Sequence, residues 1–181
     1  LHFLAMKLNR ARWNAIEIQS QKGTGTTGAG LRLTFWKESC ADVIDKREMP
    51  KGQFTDSHPV LRPFADVVRR HRPTKAFLRG TVDARLKVIP QPANIQQLFD
   101  HFDKFYGYFF TSLLEIIGVR QNDVAEHIAM HMGRAHGLVQ HCILLWREYA
   151  RKGMTLLPAD LCADNHVNLA LLKNVTLAQN D

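Results

Sequence analysis

Apolar residues return every three or four positions along most of the chain, the spacing that places one stripe of a helix against a core. From Leu1 to Gln19 the stripe is Leu4, Leu8, Ala11, Ala15 and Ile18. It stops at a run of four glycines and three threonines between Gln21 and Gly30, which predicts a flexible loop over residues 20–30. That run lacks the GxxxxGK[ST] spacing of a phosphate loop. The helical period resumes from Leu31 to Ile44 through Leu33, Trp36, Cys40 and Val43, and Met49-Pro50-Lys51-Gly52 closes it.

A third helix is expected to open near Ser57 to Pro59 and run to His71, and a fourth from Lys75 to Val88, capped by Thr74 and ended by Pro90 and Pro92. Asn94 with Gln97 has the form of a capping box. It opens a long helix to Ile117, stopped by Gly118, with Leu98, Phe99, Phe102, Phe105, Phe109, Leu113 and Ile116 on one broad apolar face. Asn122 or Asp123 caps another long helix, expected to reach Ala150 and stop at Gly153. A short segment from Pro158 and a modest last helix, about Val167 to Leu177, complete the chain. No stretch alternates as a strand does and no repeat is evident, so the reading is one all-α domain over residues 1–181.

Composition sharpens this picture in two places. With 45% apolar and 23% charged residues the 181-residue chain has enough material for a core, and no apolar run reaches the roughly 20 residues of a spanning helix. The chain therefore reads as soluble, with any targeting segment upstream of Leu1. The formal charge of +7 predicts an anionic partner: RNA, an acidic membrane surface or an acidic protein. Cys40, Cys142 and Cys162 are odd in number and without zinc spacing, which suits reduced thiols and argues against secretion.

Several short segments occur in a familiar order: Leu31-Arg-Leu-Thr-Phe-Trp36-Lys, His58-Pro59-Val60, Arg69-Arg70-His71, Val82-Asp83-Ala84-Arg85, Leu113-Leu114-Glu115-Ile116-Ile117-Gly118, Gly133-Arg-Ala-His-Gly137-Leu, Arg151-Lys152-Gly153 and Leu157-Pro158-Ala159-Asp160. In this order they resemble the squalene/phytoene synthase family over nearly the whole chain, and in particular its mitochondrial branch that serves assembly of the respiratory NADH dehydrogenase. The resemblance implies that family's helical bundle, with the possibility that the N-terminal part is cut short.

Active members of the family hold Mg²⁺ on two aspartate-rich motifs, because divalent cations must offset two pyrophosphates. The second motif, DxxxD, falls on Leu145-Trp146-Arg147-Glu148-Tyr149. Neither Leu145 nor Tyr149 can chelate Mg²⁺, and the adjacent Glu148 does not restore the pair. Residues 1–41 contain no aspartate, which leaves Asp83 as a lone surviving carboxylate. Phe105, Tyr106, Tyr108, Phe109 and Phe110 stand where synthases have a prenyl channel, so these aromatics are expected to fill it. The resemblance thus implies a pseudoenzyme with no catalytic residues, metal or cofactor, acting on protein subunits of a large mitochondrial complex in the matrix or on the matrix face of the inner membrane.

The basic residues allow a different reading. Lys7, Arg10 and Arg12, then Arg69, Arg70, Arg72, Lys75 and Arg79, then Arg147, Arg151 and Lys152 form three clusters suited to phosphates. They open the alternative of a mitochondrial ribosome protein or assembly factor that contacts rRNA, and also of peripheral membrane contact. Cations in the last turn of a helix complement its dipole as well as any ligand would. A minor alternative keeps prenyl-diphosphate or lipid binding, using Asp83 and Glu148. His127 and His131 have the step at which two imidazoles can share a metal, but lack a third ligand and read as a surface pair. Gly133 and Gly137 form a GxxxG step that predicts close helix packing.

Overall fold

The computed structural model describes residues 1–21, 28–48, 58–87, 91–152 and 154–168, and among these the regular structure is entirely helical. The helices are α1 (His2–Gln21), α2 (Gly28–Lys46), α3 (Leu61–His71), α4 (Lys75–Leu86), α5 (Ile95–Phe102), α6 (Tyr108–Ile116), α7 (Asp123–Gly137), α8 (Trp146–Arg151) and α9 (Ala159–Asp164). α1 and α2 extend into the span expected as a loop, through Gln21 and from Gly28 onward. The expected start at Ser57, the stops at Pro90 and Gly153, and nearly all of the expected last helix lie outside the described residues; Val167 and Asn168 are not helical.

α4 sits at the centre and divides the interior in two. On one side Leu78 and Val82 join Leu4, Leu8, Trp36, Cys40, Val43, Leu61, Phe64 and Val68, all buried. On the other, Ala84 joins Leu98, Phe102, Phe105, Tyr106, Tyr149 and Leu156. Burial pushes the Cys40 thiol up to about 12, so it stays protonated and acts as a small apolar side chain.

The expected long helices exist with a change of winding that periodicity did not reveal. Asp103–Gly107, between α5 and α6, and Leu138–Leu144, after α7, are π-helical. The first π turn holds three consecutive buried residues, Phe105, Tyr106 and Gly107. The second long helix breaks at Leu145, so α8 is a separate short piece.

The ends follow local chemistry. Asn94 Oδ1 accepts from Gln97 N at 3.0 Å, and Gln97 Oε1 accepts from Ala93 N at 2.9 Å, one residue before the position of a regular capping box. Asn122, not Asp123, caps α7 by accepting from Ala125 N at 3.0 Å. Gly118, at φ +95°, turns the chain out of α6. Thr74 departs from expectation, since its hydroxyl makes no cap. It donates to Glu115 instead, whose other carboxylate oxygen accepts from Thr74 N at 2.7 Å, so a buried acid on α6 fixes the α3–α4 turn.

The GxxxG step packs as closely as its spacing predicts. A Cβ on Gly133 would lie 2.5 Å from Gly107 N and 2.8 Å from Gly107 Cα, and one on Gly137 would overlap the Phe102 ring. Backbone cannot yield as a flexible side chain can, so Gly133→Ala is expected to cost about 2 kcal/mol or more. Gly28→Ala, with nothing within 4 Å, should cost nothing. Urea denaturation of the two variants beside the parent chain checks both.

Candidate functional site

Helix α1 presents Arg12 on the face that carries Leu8, and α4 presents Arg85 on the face that carries Leu78 and Val82. Both arginines are therefore carried inside, each 2% exposed. Neither meets a carboxylate within ion-pair distance among the described residues. They meet aromatic faces instead. The Arg85 guanidinium lies 4.4 Å from the Phe105 ring centre and 5.1 Å from that of Phe109. Arg12 lies 5.3 Å from Phe105 and 5.5 Å from Trp13. Arg85 Nη1 also donates to Thr81 O at 3.3 Å. Burial first, and then the nearby positive charge of Arg12, lowers Arg85 to about 9, so it remains a cation at neutral pH.

From Arg12 a chain of hydrogen bonds crosses the interior. Arg12 Nη2 donates to the Tyr149 hydroxyl at 3.3 Å, and that hydroxyl lies 2.7 Å from His141 Nδ1. His141 Nε2 lies 2.9 Å from the Tyr106 hydroxyl. Arg12 can only donate, and a Tyr149 proton directed at Nδ1 with the imidazole proton on Nε2 directed at Tyr106 gives both protons an acceptor. Burial, reinforced by Arg12, His101, His136 and Arg85, pushes His141 down to about 3. His101 is lowered to about 3 by burial and the same arginines, with its Nε2 enclosed and without a hydrogen-bond partner among the described residues. Burial likewise raises Tyr106 to about 12 and Tyr149 above its usual value.

The predicted metal-motif positions are placed differently from one another. Tyr149 is the buried centre of the network and Leu145 packs half-buried beside it. Glu148 is exposed and accepts from Arg151 at 2.9 Å. Asp83 is exposed on α4, where it and Lys87 stand between two open grooves of about 460 Å³ each. The structure does not bring Asp83 and Glu148 into any common cluster of potential ligands among the described residues. With two guanidiniums and neutral imidazoles at the centre, this donor set does not fit Mg²⁺, which takes oxygen ligands and carboxylates.

Among the five predicted channel aromatics, Phe105 and Tyr106 are buried, while Tyr108, Phe109 and Phe110 are half-buried. Tyr108 packs on Gly80 and lines the groove that also contains His101, Asp100 and Lys104. The basic residues are also dispersed in role. Arg12 is interior, not part of a surface track with Lys7 and Arg10. Arg69 pairs with Asp66, Arg79 with Asp45 and Arg151 with Glu148. Arg147 lies over Trp146 and Lys152 over Trp13. His127 and His131 are an exposed pair, with their Nε2 atoms 3.1 Å apart.

This helical arrangement and the residue pattern define a protein class: the squalene/phytoene synthase model matches residues 14–179, and the chain belongs to that family. Among curated proteins it is similar to NADH dehydrogenase (ubiquinone) complex I, assembly factor 6. The bovine protein is 31% identical over 134 residues, covering 73% of this chain, and the human protein is 30% identical over the same length. The Drosophila melanogaster homolog is 34% identical over 114 residues, 61% of this chain and 32% of that protein. The chain spans 38% of the bovine and human relatives' length. No solved structure matches.

The buried histidines make stability depend on pH with a definite sign. Their folded values, near 3, lie below the ordinary 6.5, so the unfolded chain takes up protons first as pH falls. Stability is complete above about pH 6.5 and declines toward pH 3, by up to about 1.4 kcal/mol per pH unit for each histidine. His101→Phe, which removes an unpartnered Nε2, is expected to reduce that slope by about half. Denaturant midpoints between pH 7 and pH 4 measure it.

Proposed function

We propose that this chain is a non-catalytic assembly factor of the mitochondrial NADH dehydrogenase, working as a rigid helical body that holds protein subunits. The observation that carries the reading is the sign of charge in its interior. Tyr149 occupies a position where a synthase needs an aspartate, and its hydroxyl is committed to His141 and Arg12. Arg85 and Arg12 add two positive charges beside it. A divalent cation brought there would meet repulsion instead of carboxylates, so the pyrophosphate-binding step of prenyl transfer loses its electrostatic basis. Similarity to complex I assembly factors from cattle, human and fly supports the same conclusion and favours protein partners within mitochondria.

A surface for such partners is available on α7 and the π turn that follows. Val124, Ile128, Met132, Val139 and Ile143 are all exposed and recur mostly at four-residue steps, forming an apolar stripe along one side. The reading assigns this stripe to contact with NADH dehydrogenase subunits.

Two measurements test the proposal. Incubation with farnesyl or geranylgeranyl diphosphate and Mg²⁺ should release no diphosphate above background, and Asp83→Asn should change nothing; turnover at enzyme-like rates overturns the pseudoenzyme reading. Capture of the tagged chain from mitochondria should enrich NADH dehydrogenase subunits, and Ile128→Glu with Met132→Glu should abolish that enrichment while leaving the thermal midpoint unchanged. Enrichment of ribosomal RNA and ribosomal proteins instead would transfer the role to the ribosome.

A further inference from the structure

Helix α7 turns Ala129, Gly133 and Gly137 inward at four-residue steps, and Gly133 in that row meets the Gly107 backbone. His127 and His131 stand two residues before and after Ala129, a rotation of about 200° that carries both to the opposite side of the helix. Both are exposed there. Four residues apart, their side chains lie one above the other on the same face. The close backbone crossing on the inner side holds α7 in place, so the two rings project from a fixed base.

Their Nε2 atoms converge to 3.1 Å, with ring centres 4.4 Å apart and ring planes at 74°. Without a metal one nitrogen donates a proton across that gap and the other accepts it. A metal ion can take the place of the proton. Zinc lies about 2.0–2.1 Å from an imidazole nitrogen, and two nitrogens 3.1 Å apart then subtend an angle of about 100° at the ion. That angle falls between the right angle of a square-planar or octahedral site and the tetrahedral value. Two imidazoles supply no oxygen, so the fit is to Zn²⁺, Ni²⁺ or Cu²⁺ and not to the Mg²⁺ of the family's active members. Asp123 and Glu126, in the first turn of α7, offset the positive end of the helix dipole, which would otherwise oppose a cation.

We propose that His127 and His131 form a bidentate site for a divalent transition metal, with Zn²⁺ as its type, on the outer face of α7. No third protein ligand gathers with them among the described residues, so water completes the coordination. Closed structural zinc sites take four protein ligands; this site is exchangeable, and the fold does not depend on its being filled. The inference does not rest on the assembly-factor reading.

Calorimetric titration of Zn²⁺ into the purified, untagged 181-residue chain tests it, together with the imidazole proton NMR signals. Two imidazoles held together bind about 100-fold more tightly than one, so His127→Ala and His131→Ala should each weaken this site by about that factor. The double variant should be little worse than either. Exchanging the second histidine with its neighbour, His131→Met with Met132→His, keeps all nine histidines but turns one ring away by about 100°. It should weaken zinc binding as much as His131→Ala does. Both positions are exposed, so the metal-free thermal midpoint should be the same in every variant, which separates ligation from folding. In the parent chain the His127 and His131 signals should move together as zinc is added, and a large excess of Mg²⁺ should not reverse the shift. Parent-like zinc affinity in a single or exchanged variant overturns the proposal. So do His127 and His131 signals that stay in place while zinc binds, or displacement of zinc by Mg²⁺.

Discussion

The interior is organised by the need to keep two guanidiniums charged away from water. Removing such a group from solvent costs several kcal/mol even after relaxation, and among the described residues no carboxylate offsets Arg12 or Arg85. Aromatic faces and neutral acceptors take that part. Phe105 serves both cations, which ties α1 and α4 to the segment between α5 and α6. A desolvated cation–π contact can reach about 2 kcal/mol, and several acting together make a charged core tolerable. The second half of the interior is thus held by a mixed aromatic and cationic set, whereas the first is held by apolar packing, mostly aliphatic with Trp36 and Phe64.

The π turns follow from that arrangement. Phe105 must face the two arginines while its neighbour Tyr106 reaches His141, and Gly107 must lie against Gly133. All three lie in one π turn, whose wider winding sets the directions in which they point. His141 lies in the other π segment and points at two hydroxyls on different elements. Each irregular stretch therefore coincides with a residue of the buried network, in keeping with the frequent placement of π-bulges at special sites.

Much of the fold was legible because it depends on local rules. Asn94, Asn122 and Gly118 mark helix ends by their own chemistry, and the Gly133 and Gly137 step marks a close crossing. The network was not legible, although a faint signal existed. Arg12 lies four residues after Leu8, Arg85 three after Val82, and His141 four after Gly137, so each occupies a face that periodicity marks as buried. Charge and type argued for the surface, and tertiary context prevailed. Thr74 shows the same limit, since its side chain left a local cap for an acid 41 residues away.

A change in the sign of charge at the centre alters what the family's fold is suited to do. A metal-dependent site needs carboxylates held apart by their repulsion until cations arrive, so its helices must leave room between them. Here Arg12, Tyr149, His141 and Tyr106 are joined by hydrogen bonds, both arginines lie against ring faces, and the helices close until Gly133 meets Gly107 backbone to backbone. On the proposed reading that closure is useful. A bundle packed this closely where Gly133 meets Gly107 presents its outer helices without rearrangement, and less ordering on association means stronger binding for the same contact area. The packing that disfavours prenyl chemistry is then the same packing that makes the bundle a good holder of other chains.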